Sequence, residues 1–263
     1  GENSMATTTY TFARMEKKYL LSASQYETLR MQLEPYFQID AYGKHTICNI
    51  YFDTDDDLLI RRSIEKPVYK EKLRLRSYGI PNQDSTLFLE IKKKYKKVVY
   101  KRRISLSLPQ AQGYLQSGQL PQGDGQILKE LRYFTDFYHP KPRVFLAYDR
   151  IAMAGRENQE LRVTFDQNIR CREDRLDLSL GDDGALILPQ GQYLMELKVP
   201  GAFPLWLTRI LSSQKLYPTS YSKYGSFYTQ KLSQHLHPEP LSDNDLSNVI
   251  YLGHPSSLSA RAR

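Results

Sequence analysis

"KEKLRLRSYG", residues 70 to 79, decides how the rest of the chain is read. Side chains of a β-strand alternate between two faces. Lys70, Lys72, Arg74 and Arg76 therefore line one face of this stretch, and Leu73 and Leu75 the other. Neighbours on one face stand about 7 Å apart, and like charges at that spacing repel unless an anion lies among them. The pattern predicts a strand whose basic face meets a polyanion.

The same alternation recurs along the chain. Glu90, Lys92 and Lys94 share a face of "FLEIKKK", and Lys101 and Arg103 share one of "VVYKRRI". Glu160, Arg162, Thr164 and Asp166 share a face of "ELRVTFD", and Glu196 and Lys198 one of "LMELKV". A sheet with one wet face accounts for any single strand of this kind. Such a face mixes Thr, Ser, Gln and both charge signs, whereas here Lys and Arg dominate several strands. The fold class expected is mainly β (α+β): a closed antiparallel β-barrel tunnel of about eight strands, with charged faces inward and aliphatic faces covered by flanking helices. Buried cations without partners are strongly unfavourable. The lumen must then hold an anion of high charge density, such as a linear polyphosphate or a nucleoside triphosphate, and Arg74 and Arg76 are expected to stand unpaired until it arrives.

Composition agrees with a globular protein that binds an anion. The chain has 263 residues, 20 of them tyrosine, and a formal net charge of +8. No apolar run reaches the ~18 residues that span a bilayer, and no glycine-rich loop follows a strand, which excludes P-loop and Rossmann readings. A nucleic-acid binder would place exposed aromatics along an open basic groove; the inward alternation argues against one. Two cysteines, Cys48 and Cys171, have no metal-binding spacing and read as free thiols of a reducing compartment. The expected location is therefore cytoplasmic. "GENSM" reads as a vector-derived scar before Met5, so residues 1–8 are set apart from a barrel domain over 9–236 and a Pro- and Ser-rich tail over 237–263.

Helices are expected from Ser24, with Ser24 and Glu27 as a capping box, over 109–117, over 125–137 with Asp124 as N-cap, over 203–215, and from about Ser222. Tyr224, Phe227, Tyr228 and Leu232 form the buried side of the last. Asp53 and Asp55 to Asp57 read as a solvated turn. No Ser-His-Asp or Cys-His arrangement emerges. Transfer of a phosphoryl group to another phosphate needs none, because the acceptor oxygen is already ionised and catalysis rests on alignment and charge.

"RMEKKY" at 14–19, "YFDT" at 51–54, "KLRLRSY" at 72–78, "LEIKKK" at 89–94, "KRR" at 101–103, "YDRIA" at 148–152, "LRVTFD" at 161–166, "RED" at 172–174, "MELKV" at 195–199 and "SKY" at 222–224 occur in one order. In this series the chain resembles the catalytic domain of the vacuolar transporter chaperone (VTC) complex, the polyphosphate polymerase branch of the CYTH-like triphosphate tunnel metalloenzymes. The resemblance implies a basic tunnel that transfers the γ-phosphoryl group of ATP to a growing polyphosphate. It implies catalytic roles for Arg74, Arg76, Lys92, Lys101, Arg162 and Lys223. Phosphate binding would fall to Arg14, Lys18, Lys72, Arg103, Arg150, Arg172, Lys198 and Ser222. Glu196 takes the position of the metal-binding glutamate, with Mn²⁺ or Mg²⁺ as cofactor and Glu16 or Glu90 as further ligands. A separate membrane protein would receive the product. Two departures stand out: Ser220 replaces a lysine of the family pattern, and Arg14-x-Glu16-x-Lys18 replaces the Glu-x-Glu-x-Lys of the hydrolase and cyclase branch. A triphosphatase in the same tunnel and a non-catalytic polyphosphate- or inositol-phosphate-binding module are the alternatives.

Overall fold

The computed structural model describes residues 9–10, 14–65, 68–96 and 98–236; the expected scar and tail lie outside them. The chain divides into two units, Gly1–Tyr228 and Thr229–Arg263, and every strand belongs to the first. The strands are β1 (Thr9–Tyr10), β2 (Arg14–Leu21), β3 (Phe37–Asp53), β4 (Tyr69–Tyr78), β5 (Thr86–Tyr95), β6 (Val98–Ser107), β7 (Lys141–Gly155), β8 (Arg162–Arg172), β9 (Ala185–Leu186) and β10 (Tyr193–Pro200). The helices are α1 (Ala23–Leu33), α2 (Leu58–Glu65), α3 (Leu108–Ser117), α4 (Gln126–Tyr138), α5 (Leu205–Ser213) and α6 (Lys223–Leu236), whose later turns belong to the second unit.

All strand pairings are antiparallel, in the order β1-β6-β5-β4-β3-β7-β8-β10-β2, with β9 beside β8. Hydrogen bonds do not close this sheet. Its two outermost strands, β1 and β2, are nevertheless consecutive in sequence, so the edges they mark lie within about 14 Å of chain. Charges sense one another across that seam: Lys101 on β6 is affected by Lys198 on β10 and Glu16 on β2. The free edge of β2 is met at Lys18 by Thr219, whose N–H donates to the Lys18 carbonyl at 2.8 Å.

Three apolar clusters hold the sheet. Leu73, Leu75, Leu87, Leu89 and Ile91 pack outward on Ala111 and Tyr114 of α3 and on Ile127, Leu131 and Phe134 of α4. Leu21, Val163, Phe165, Met195 and Leu197 pack outward on α1 and α5 through Leu29, Leu33, Leu207 and Leu211. These are the aliphatic faces of the alternating strands, covered by helices as expected. The third cluster was not expected. Ile47, Tyr51, Val144, Leu146 and Tyr148 lie on the inner face of β3 and β7, and with Ile169, Leu194 and Tyr224 they form a core. The lumen thus has a charged wall and an apolar wall.

Several local expectations shift. The first helix is capped two residues early, by a capping box of Ser22 and Gln25. Gly125, not Asp124, is the N-cap of α4 and makes no side-chain cap bond. Asp53 is fully buried rather than solvated. Its carboxylate accepts the N–H groups of Thr54, Leu59 and Ile60 and so caps α2, an element the sequence did not announce, and it also accepts the Tyr224 hydroxyl. Leu232 is 46% exposed, so it is not on a buried side.

Candidate functional site: the cation-lined lumen

Strand register brings the predicted residues together. Across β4, β5 and β6, Lys72, Lys92 and Lys101 form one row, and Arg74, Glu90 and Arg103 the next. On the other side of the seam, Lys18 opposes Glu196 and Glu16 opposes Lys198, while Arg14 opposes Pro200. Glu196 opposes Thr164 and Lys198 opposes Arg162 on β8, and Arg150 on β7 opposes Asp166. Ser222 and Lys223 enter at the start of α6.

The arginines are not unpaired, contrary to expectation. Arg74 Nε donates to Glu90 Oε1 at 2.9 Å and its NH1 reaches the Tyr51 hydroxyl at 3.4 Å. Arg76 donates to Asn49 Oδ1 at 2.9 Å and to the Tyr148 hydroxyl at 3.0 Å, with Glu90 3.5 Å away. Glu90 is therefore an arginine holder through one of its two carboxylate oxygens. Arg150 makes a two-point pair with Asp166 at 2.7 and 2.9 Å, and Lys223 Nζ lies 2.8 Å from the same carboxylate. Burial would push the Asp166 carboxyl up, but Lys223 and Arg150 hold it well below the usual range. Burial likewise opposes ionisation of Tyr148, yet Arg76, Arg150 and Lys223 bring its phenol down to about 8.

The lysines are held differently. Lys18 donates to the Tyr221 carbonyl and Lys72 to Ser222 Oγ, each at 2.8 Å, so both meet neutral oxygens. Among the described residues, Lys92, Lys101 and Lys198 have no hydrogen-bond or ion-pair partner. Burial, and then Lys101, lowers the Lys92 pKa to about 7; burial and then Lys198 lower that of Lys101. Such a group gains a counter-charge when an anion enters.

Glu196 is half-buried and accepts no hydrogen bond from a described residue. Burial works against its ionisation, but Lys198, Lys18, Lys223 and Arg150 outweigh it and hold the carboxyl at about 2. No group of three or more His, Cys, Asp or Glu side chains gathers as a metal cage among the described residues. The donor set fits the other mode of binding Mg²⁺ or Mn²⁺, in which one or two carboxylates share the ion with substrate phosphates. Glu196 would supply the carboxylate, with Glu16 on the neighbouring strand.

Two predicted residues lie elsewhere. Arg162 sits beside Lys198 but is paired with Asp40 at 3.1 Å and is 41% exposed, at the rim. Arg172 faces away from the lumen. Its guanidinium stacks on Phe145 at 3.8 Å and ties the following loop through the carbonyls of Arg175, Gly181 and Asp183. Sequence reasoning gave no role to Asp166, Asn49, Tyr51 or Tyr148. A signal existed for Asp166 and Asn49, since a carboxylate or amide inside an otherwise buried strand is rarely idle.

Residues 13–230 match the family described as VTC domain. Among solved structures, a candidate adenylate cyclase from Bacillus halodurans is 18% identical, with 80% of this chain and 96% of that chain covered and a TM-score of 0.52. A Hippeastrum protein, a candidate adenylyl cyclase described as having a dominant triphosphatase activity, is 16% identical over 82% of this chain and 96% of that one, with a TM-score of 0.47. The first shares the fold of this chain. A search among curated proteins found no match.

Proposed function

The chain belongs to the VTC domain family, and from that premise we propose that it is a metal-dependent polyphosphate polymerase, transferring the γ-phosphoryl group of ATP to an inorganic polyphosphate inside the lumen. The observation that carries this reading is the set of three lumen lysines that make no hydrogen bond or ion pair among the described residues, Lys92, Lys101 and Lys198, in one lumen with a carboxylate that accepts no hydrogen bond, Glu196. A phosphate chain supplies the missing counter-charges.

In the proposed reaction a terminal oxygen of the acceptor phosphate attacks the γ-phosphorus. The bond from that phosphorus to the β–γ bridging oxygen breaks, and ADP leaves with the bond's electron pair. Arg74, Arg76 and Arg150, already oriented by Glu90, Asn49 and Asp166, present their remaining N–H groups to phosphate oxygens as fixed forks. Lys92, Lys101, Lys198 and Lys223 supply point charges to the loose transition state. Ser222 and the first turn of α6 offer a hydroxyl and helix N–H groups to a phosphate. A bound divalent ion would neutralise part of the charge shared by two phosphates.

Incubation of purified protein with ATP and Mn²⁺ or Mg²⁺, followed by a gel stained for polyphosphate, tests the reading. Long chains and ADP support it; orthophosphate alone identifies a hydrolase, a second reading favoured by Glu16, an exposed carboxylate that could orient water. Glu196→Gln should lose metal-dependent turnover while tripolyphosphate binding without metal persists. Unaltered turnover in that variant would exclude Glu196 as the metal ligand.

A further inference from the structure

The lumen face does not end at Arg76. Two residues further along β4 it carries Tyr78, and opposite Arg76 on β5 it carries Phe88. On β3 the same face carries His45, two residues before Ile47, the register partner of Tyr78. The rings form a chain: Phe88 to Tyr78 at 6.0 Å and 75°, Tyr78 to His45 at 6.1 Å and 48°, His45 to Tyr42 at 6.2 Å and 60°. All three contacts are edge-on or tilted, so none covers a ring face as a parallel stack would. Exposure rises outward: Phe88 and His45 are half-buried, Tyr78 is 53% exposed and Tyr42 79%. This is a mouth of the lumen. Arg103 lies at its junction with the cation rows, its guanidinium over the Phe88 ring at 4.2 Å and without a hydrogen bond to a described residue.

Within two residues the lining changes from cations to aromatic rings, of which Tyr78 and Tyr42 are exposed. An inorganic phosphate chain gains nothing from such rings. A nucleoside triphosphate does, because it ends in a flat base beyond its phosphates and ribose. We propose that Tyr78, with His45 and Phe88, is the platform on which the base of a nucleoside triphosphate stacks, Arg103 bridging from the ring to the nearest phosphate. This rests on reading the lumen as a phosphate site, and it assigns specificity between nucleotide and inorganic substrates to one rim. Tyr78 is a positioning residue for the nucleotide and touches no reacting atom.

The test compares dissociation constants of ATP and of inorganic tripolyphosphate for the unaltered protein, Tyr78→Ala and Tyr78→Phe in one buffer. Base–aromatic stacking predicts that Tyr78→Ala weakens ATP binding by at least about fivefold. Tripolyphosphate binding should be unchanged, and Tyr78→Phe, which keeps the ring, should match the unaltered protein for both ligands. ATP affinity that does not move in Tyr78→Ala overturns the platform, as does an equal loss for both ligands. If the unaltered protein bound neither ligand, the phosphate-site reading itself would fall and the platform with it.

Discussion

Arg74, Arg76 and Arg150 each meet an oxygen acceptor at 2.9 Å or less, whereas Lys92, Lys101 and Lys198, on strands of the same lumen, meet none among the described residues. Guanidinium groups carry five donors and stay charged, so a carboxylate can fix one edge and leave the other for a ligand. An ammonium is a single point that can lose its proton when buried. The arginines are thus scaffold charges, and the lysines are the ones that wait for substrate. Removing an arginine or its holder should disturb the empty protein; removing a waiting lysine should disturb only the complex.

The largest effect is expected from Asp166→Ala. It leaves Arg150 and Lys223 buried without their shared carboxylate, and loss of one partner of a buried pair costs about 3–5 kcal/mol. Chemical denaturation of the ligand-free protein should show a loss of that size. A stability equal to that of the unaltered protein would mean the arginine set is not scaffold.

Lys92→Met should act in the opposite sense. The ligand-free protein should be as stable or more so, because a crowded, partnerless cation is gone. Tripolyphosphate affinity should fall about tenfold or more, the scale of a charge-assisted hydrogen bond. Calorimetry of the variant with and without ligand separates the two effects, and a less stable, normally binding variant would reverse the assignment.

A pH series sharpens the same point with a smaller effect. Lys92 has its folded pKa lowered to about 7 from the ordinary lysine value near 10.5. Between those values the unfolded chain holds more protons than the folded one, so stability should rise with pH across that window. The destabilisation is fully present below about pH 7 and gone above about pH 10.4. Tripolyphosphate should draw a proton onto Lys92 near pH 8, so proton uptake on binding, measured in buffers of different ionisation enthalpy, should shrink in Lys92→Met. The smallest effect is expected from Arg172→Met, which should loosen the loop beyond β8 and leave tripolyphosphate affinity unchanged. A clear loss of affinity there would return Arg172 to the site.

The sequence revealed the alternation and little of what fills it. Period-two patterning places Lys72, Arg74 and Arg76 on one face without any knowledge of partners, because strand geometry alone sets that face. It cannot say that Glu90 falls beside Arg74, since that depends on the register between β4 and β5. Arg172, which only the resemblance put in the site, lies where alternation gives no safe guide. Alternation along β8 is interrupted where its register with β7 shifts between Ala147 and Asp149, and beyond such an irregularity a count of odd and even positions can point to the wrong face. The apolar wall was hidden in plain aliphatic runs, "RVFLAY" among them, which read equally well as outward-facing core. Asp53 was misread because a carboxylate capping α2 from inside a strand has no local spacing signal.

That apolar wall has a consequence for how far the cations reach. Ile47, Val144, Leu146 and Leu194 are at most 1% exposed and hold no polar side-chain atom that could answer a charge. Adjoining the arginine row through Tyr51 and Tyr148, such a surface polarises weakly, so field lines leaving the lumen cations are turned along the lumen instead of being dissipated in water. A wall that never touches phosphate would thus make the charged wall attract it from further away.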